Sequence, residues 1–236
     1  MIINLISGPR NISTALMYSF AQRPDTLVID EPFYGNYLQR FDADHPGKEE
    51  VLASMETDVD RILAGIHGRH GARPYTFVKN MGHHLVDMDT AFLSDFTNVF
   101  LIRDPKPLIA SLAQIIPNPT MRDVGLSRQA ELYRSLSKTQ SPLVIDSHEV
   151  LKDPPTMLRR ICDALDIPFY EAMLTWPKGM IYDDVPWAKY WYKNVMNSTG
   201  FEKQTTSTRP LPEHCKPLLE ECLPHYNFLK QHTLTA

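Results

Sequence analysis

Two arginines, each followed by hydroxyl side chains, are the groups in this chain best suited to hold an anion. Arg10 stands in Pro9-Arg10-Asn11-Ile12-Ser13-Thr14, and Arg103 precedes Ser111 by two helical turns. A guanidinium carries a permanent positive charge, and Ser13 and Thr14 add hydroxyl donors. Moving a proton calls for other groups. Glu31, in Val28-Ile29-Asp30-Glu31-Pro32-Phe33-Tyr34, is one candidate base. The pair His83 and His84, in Phe77-Val78-Lys79-Asn80-Met81-Gly82-His83-His84, is the other. Histidine has the better pKa for a base at neutral pH. Glu31 has the better position, directly after an apolar strand, and is preferred.

The elements around these residues explain why they should converge. Ile2-Ile3-Asn4-Leu5-Ile6 reads as a buried strand running into a polar turn that opens a helix. Unpaired N–H groups at that helix start point at one spot, a ready anion site. Asn98-Val99-Phe100-Leu101-Ile102 repeats the pattern, and Arg103 follows at the carboxyl end, where open α/β sheets place ligands. Pro105 and Pro107 suit a first helical turn because the missing N–H would be unpaired there anyway. Strands are expected near 2–6, 26–30, 75–79, 98–102 and 142–146. One long amphipathic helix is expected through Leu52, Met55, Val59, Ile62, Leu63 and Ile66. Such alternation predicts an α/β fold, a central parallel sheet between two helical layers. Blander readings exist for each residue. Ser13 would cap a helix, Arg103 would pair with Asp104 or a helix end, and Glu31 would sit against a helix dipole. The histidines would occupy a partly exposed helix start, and a metal there lacks a third ligand.

Together the two arginine segments resemble the sulfotransferases that use 3′-phosphoadenosine-5′-phosphosulfate (PAPS). That family grips the 5′-phosphosulfate with a P-[KR]-x-G-[ST]-T loop and the 3′-phosphate with an R-x-x-x-x-x-x-x-S motif. Pro9, Arg10, Asn11, Ile12, Ser13 and Thr14 stand at the first, and Arg103 to Ser111 has the spacing of the second. A third segment, Leu143-Val144-Ile145-Asp146-Ser147-His148-Glu149-Val150-Leu151-Lys152-Asp153-Pro154, looks like the family's strand plus Y-E-D-L-x-x-D-P. The resemblance runs in order over about residues 1–170. It implies a P-loop nucleotide-kinase-like three-layer α/β/α fold, PAPS as donor, 3′-phosphoadenosine 5′-phosphate (PAP) as product, and no metal. Some bacterial members use a glutamate where Glu31 stands. Cytosolic members carry K-x-H after the third strand; Lys79 matches the lysine, but Met81 takes the histidine's place, so a histidine reaches the site only if Gly82 turns the chain back. Ile12 replaces the loop glycine and must avoid positive φ. His148 and Val150 replace Tyr and Asp, which makes that segment structural. Trp176-Pro177-Lys178-Gly179 is a loose echo of the family's R-K-G-x-x-G loop, which makes Lys178 a nucleotide-binding candidate.

The standard phosphate loop G-x-x-x-x-G-K-[ST] is not matched, which weakens the alternative of a P-loop kinase-like phosphotransferase. The other alternative is a non-catalytic nucleotide-binding protein on the same fold. With 236 residues and a formal net charge of −4, one domain spanning 1–236 is expected and a nucleic-acid partner is not. No apolar run approaches the ~20 residues of a membrane span. The apolar start reads as the first strand rather than a signal peptide. Cys162, Cys215 and Cys222 are odd in number, so a reducing cytoplasm is the expected setting. A small-molecule acceptor is the expected partner, with a homodimer left open. Residues 171–236 carry the fewest signals. There, Trp187-Ala188-Lys189-Tyr190-Trp191-Tyr192-Lys193-Asn194-Val195 suits a packed helix face or an acceptor wall. Pro210-Leu211-Pro212 marks a break before a short terminal helix.

Overall fold

The computed structural model describes residues 1–179, 186–201 and 209–235. Five parallel strands lie in the order β2-β3-β1-β4-β5: β1 Ile2–Ser7, β2 Thr26–Asp30, β3 Tyr75–Met81, β4 Thr97–Ile102 and β5 Leu143–Asp146. All are short and rich in branched and aromatic residues, and each falls within two residues of its predicted position. The helices are α1 Ser13–Ala21, α2 Tyr34–Phe41, α3 Lys48–Ser54, α4 Val59–His70, α5 Pro105–Leu112, α6 Met121–Val124 and α7 Leu126–Leu136. They continue with α8 Ser147–Lys152, α9 Pro154–Ala164, α10 Ala188–Trp191, α11 Lys193–Asn197 and α12 Lys216–Lys230.

Strand residues alternate between two cores, as the pleat requires. Ile2, Ile6, Val78, Phe100 and Val144 face one way, onto apolar residues of α4, α5, α7 and α12. Ile3, Leu5, Phe77, Val99 and Ile145 face the other way, onto α1, α8 and α9. This is the predicted three-layer arrangement with the sheet buried on both faces. No helix among the described residues is long and apolar enough to cross a membrane.

Two local expectations are corrected. The single long helix between β2 and β3 is instead α3 and α4, broken at residues 55–58. The Glu56 carboxylate accepts the N–H groups of Thr57 and Asp58 at 2.9 and 3.0 Å, and Asp58 caps α4 by accepting from Arg61 N–H at 3.0 Å. Acidic side chains that bind nearby N–H groups start a helix rather than continue one. The terminal helix α12 is longer than expected, at 15 residues. Its Pro217 falls in the first turn, where proline is tolerated. The Asp146 to Pro154 segment is structural, as expected: Asp146 caps α8, Asp153 caps α9, and Val150 is fully buried.

Candidate functional site

The chain leaves β1 at Gly8 and enters α1 at Ser13. In between, Arg10 takes the left-handed conformation, φ 54, while Ile12 stays at φ −90. A β-branched residue is strained at positive φ, so the loop places its left-handed residue at Arg10 and sends Ile12 into the core against α1. Asn11 pins the turn: its side chain accepts Ile12 N–H at 2.9 Å and donates to Leu101 O at 3.3 Å. Ile12 holds the cap position without a side-chain bond, and Ser13 is already the first helical residue. Ser13 is therefore no helix cap.

The two arginines meet here. Arg10 Nε donates to Ser111 Oγ at 3.0 Å, and Arg103 Nη1 donates to the Arg10 carbonyl oxygen. Arg103 is not spent on Asp104, whose carboxylate accepts Lys106 N–H at 2.9 Å and caps α5. Burial lowers the Arg10 pKa, and the charge of Arg209 lowers it further. Burial also lowers that of Arg103, with Arg10 as the neighbouring cation. Half-buried like charges are costly until an anion offsets them, so this corner favours a polyanionic ligand. Arg209 was not singled out from sequence; it belongs to no recognisable motif.

A second cluster forms where β2 and β3 end side by side, with Asp30 in register with Lys79. The Lys79 ammonium, fully buried, donates to Asp30 Oδ1 at 2.9 Å, to Glu31 Oε1 and to Tyr192 Oη at 2.5 Å. Glu31 is itself left-handed, φ 43, and its N–H donates to Lys79 O at 2.8 Å. Burial pushes the Asp30 carboxyl up, more than the Lys79 charge pulls it down. Burial opposes the charge on Lys79, but the two carboxylates outweigh it and its pKa rises. Burial, followed by the charges of Asp30 and Glu31, raises the Tyr192 phenol well above its ordinary value, so it keeps its proton.

Gly82 does bring the histidines back. A Cβ there would lie 2.9 Å from Gly125 O, so only glycine fits this turn without a shift. His83 and His84 are buried, not at a partly exposed helix start. His84 stacks on Tyr34 with ring centroids 4.9 Å apart, and its Nε2 lies 3.9 Å from Glu31 Oε2. Burial drives both imidazoles well below their usual pKa. That removes the advantage in pKa that histidine held as a base.

The same burial sets a pH dependence for folding. With folded pKa values below the unfolded ~6.5, the unfolded chain binds more protons, so stability rises with pH across that window. Going down from about pH 6.5, each histidine removes roughly 1.4 kcal/mol per pH unit until its folded pKa is reached. The urea midpoint should therefore fall between about pH 7.5 and 5.5, with a shallower fall in His84→Asn. A flat midpoint over that range contradicts the neutral, buried histidines.

One cleft joins the clusters. Pro9, Arg10, Asn11, Ser13 and Thr14 line one end of it. Glu31, Tyr34, His45, Met81, His83, His84, Leu112, Ile116, Asp123, Trp191 and Tyr192 form the rest. Arg103 and Ser111 join through Arg10. Lys178 does not join: it is exposed on a bend and is not among the lining residues. That bend is held by Gly179 N–H donating to Met196 O at 2.9 Å and by the Tyr18 hydroxyl donating to Gly179 O at 3.2 Å. The aromatic segment forms two short helices rather than one face, and Trp191 and Tyr192 become cleft wall. Asp30 and His45 were missed as site residues. Only the adjacency of Asp30 to Glu31 offered a signal. No group of three or more His, Cys, Asp or Glu among the described residues is placed to hold a metal ion.

The family model described as "Sulfotransferase domain" matches residues 1–233. Two curated relatives from Arabidopsis thaliana are similar to this chain: branched-chain-amino-acid aminotransferase-like proteins 1 and 2. They are 38% and 37% identical over 233 residues, 98% of this chain, and the chain spans only 42% of the length of each. Among solved structures, the sulfotransferase domain from the curacin biosynthetic pathway superposes with a TM-score of 0.59 at 14% identity, covering 93% of this chain and 96% of that one. A sulfotransferase from Alicyclobacillus acidocaldarius gives a TM-score of 0.54 at 15% identity, covering 98% and 96%. At such identities these likenesses establish the shared fold.

Proposed function

The chain belongs to the sulfotransferase domain family, residues 1–233 of it, and on that footing we propose an enzyme that moves a sulfuryl group from PAPS to a hydroxyl or amine of a small molecule. The observation that carries this reading is the knot of Arg10, Ser111 and Arg103, which opens on the same cleft as Glu31. Two half-buried guanidinium groups, each lowered in pKa and one acting on the other, fit a donor with phosphates at the 3′ and 5′ positions of one ribose.

PAPS, when bound, supplies a sulfuryl group on a phosphate leaving group, transferred by in-line displacement with charge spread over equatorial oxygens. In this reading Arg10, Ser13 and Thr14 donate to the 5′-phosphosulfate and stabilise that charge. Arg103 and Ser111 hold the 3′-phosphate. Glu31 accepts the proton released by the acceptor's O–H or N–H. The work of the site is then positioning and charge stabilisation.

A ligand panel tests the donor. PAP should raise the thermal midpoint, while ATP with Mg²⁺, AMP and GTP should do so weakly. At one hundred times its Kd a ligand adds about 2.7 kcal/mol to stability by mass action. A shift with Mg²⁺-ATP and none with PAP would overturn the reading in favour of a kinase-like enzyme. Strong PAP binding without turnover of PAPS would favour a binding protein.

A further inference from the structure

We infer that Tyr192 is a positioning residue for Glu31: its hydroxyl and the Lys79 ammonium fix Glu31 Oε1 and leave Oε2 turned to the acceptor. The inference rests on the reading of Glu31 as the base. A non-glycine residue at φ 43 persists only where its surroundings hold it. Here Oε1 is held from two sides, by Lys79 Nζ and by the Tyr192 hydroxyl at 3.1 Å. Oε2 has His84 Nε2 at 3.9 Å, too far for a hydrogen bond. A carboxylate with one oxygen fixed and the other open is oriented and still able to accept a proton.

The donor inventory gives the phenol a defined direction. Its oxygen accepts from Lys79 Nζ at 2.5 Å and from Trp187 Nε1 at 3.0 Å, which uses both lone pairs. Its one proton is shared in a three-centre bond, the shorter arm to Asp30 Oδ2 at 2.7 Å and the longer to Glu31 Oε1 at 3.1 Å. Lys79 spends its three N–H groups on Asp30, Glu31 and Tyr192. Every member of the network is engaged, which is the condition for a buried polar network to be rigid. Tyr192 sits at the junction of α10 and α11, next to Trp191, which lines the cleft. The segment that walls the acceptor end thus also carries the group that orients the base.

Tyr192→Phe removes the hydroxyl and keeps a ring among Tyr34, Tyr37 and Trp187. The expected result is a fall in kcat of about tenfold or more, with KM for PAPS and the thermal shift given by PAP unchanged. In a Glu31→Gln background the same change should cost nothing further, because residues acting as a unit do not add. Full kcat in Tyr192→Phe, or losses that multiply in the double variant, overturns the positioning role while a slow Glu31→Gln upholds the base. Full turnover in Glu31→Gln removes both. Should Tyr192→Phe fail to fold, Trp187→Phe takes away the indole N–H that orients the phenol and keeps a smaller aromatic ring against Tyr34. A smaller fall in kcat, again with KM for PAPS unchanged, supports the role, and an unchanged kcat overturns it.

Discussion

Glu31→Gln is expected to slow sulfuryl transfer by about two to three orders of magnitude, the usual worth of a positioned general base. PAP binding should stay near normal, because the variant leaves the Arg10 loop untouched. The amide keeps the shape of the carboxylate and can still accept from Lys79 and Tyr192, so packing of β2 against β3 should survive. What it loses is the capacity to take a proton. The readout is kcat from single-turnover and steady-state assays together with PAP affinity by calorimetry. Unchanged turnover removes Glu31 from the mechanism. Loss of PAP affinity together with kcat would mean that the carboxylate supports the donor site instead.

The second large effect concerns the other end of the cleft. Arg103→Ala should weaken PAP by about 2 kcal/mol or more, roughly thirtyfold, since it deletes a charged donor from a partly buried anion site. AMP, which lacks the 3′-phosphate, should be nearly unaffected. The comparison matters because Arg103 also donates to the Arg10 carbonyl and so braces the loop. A collapsed loop would weaken both nucleotides, and equal losses would contradict the assignment of Arg103 to the 3′-phosphate. A selective loss for PAP is expected.

How much of this was legible beforehand differs between the two ends of the cleft. The arginine corner is written locally. An apolar strand, a polar turn and a helix start lie within about fifteen residues, and their geometry follows from strand and helix boundaries alone. Even the loss of the loop glycine could be read correctly: Ile12 stays at negative φ and Arg10 takes the left-handed conformation in its place. The long helix through Leu52 and Ile66 failed for an equally local reason. Apolar spacing continued across residues 55–58, but the carboxylates of Glu56 and Asp58 captured nearby N–H groups and began a new helix.

The carboxylate end is a different case. Glu31 and the histidines were found as residue types, but their environment comes from partners far along the chain. Lys79 reaches Asp30 and Glu31 because β2 and β3 are neighbours in register, a fact of sheet order. Tyr192 arrives from between two short helices, 161 positions from Glu31 in sequence. Lys178 shows the converse, since a motif echo placed it in a site that the fold leaves it outside. The sequence by itself determined the five strands, their two helical layers and the place of Arg10 and Arg103 just after two of those strands, because strand periodicity and helix starts are set by neighbouring residues. Only the tertiary structure decided which carboxylate oxygen is held, that the histidines are buried and neutral, and that a distant phenol completes the cluster. Those outcomes depend on which strands pair and what covers them, and residue spacing along a chain carries neither.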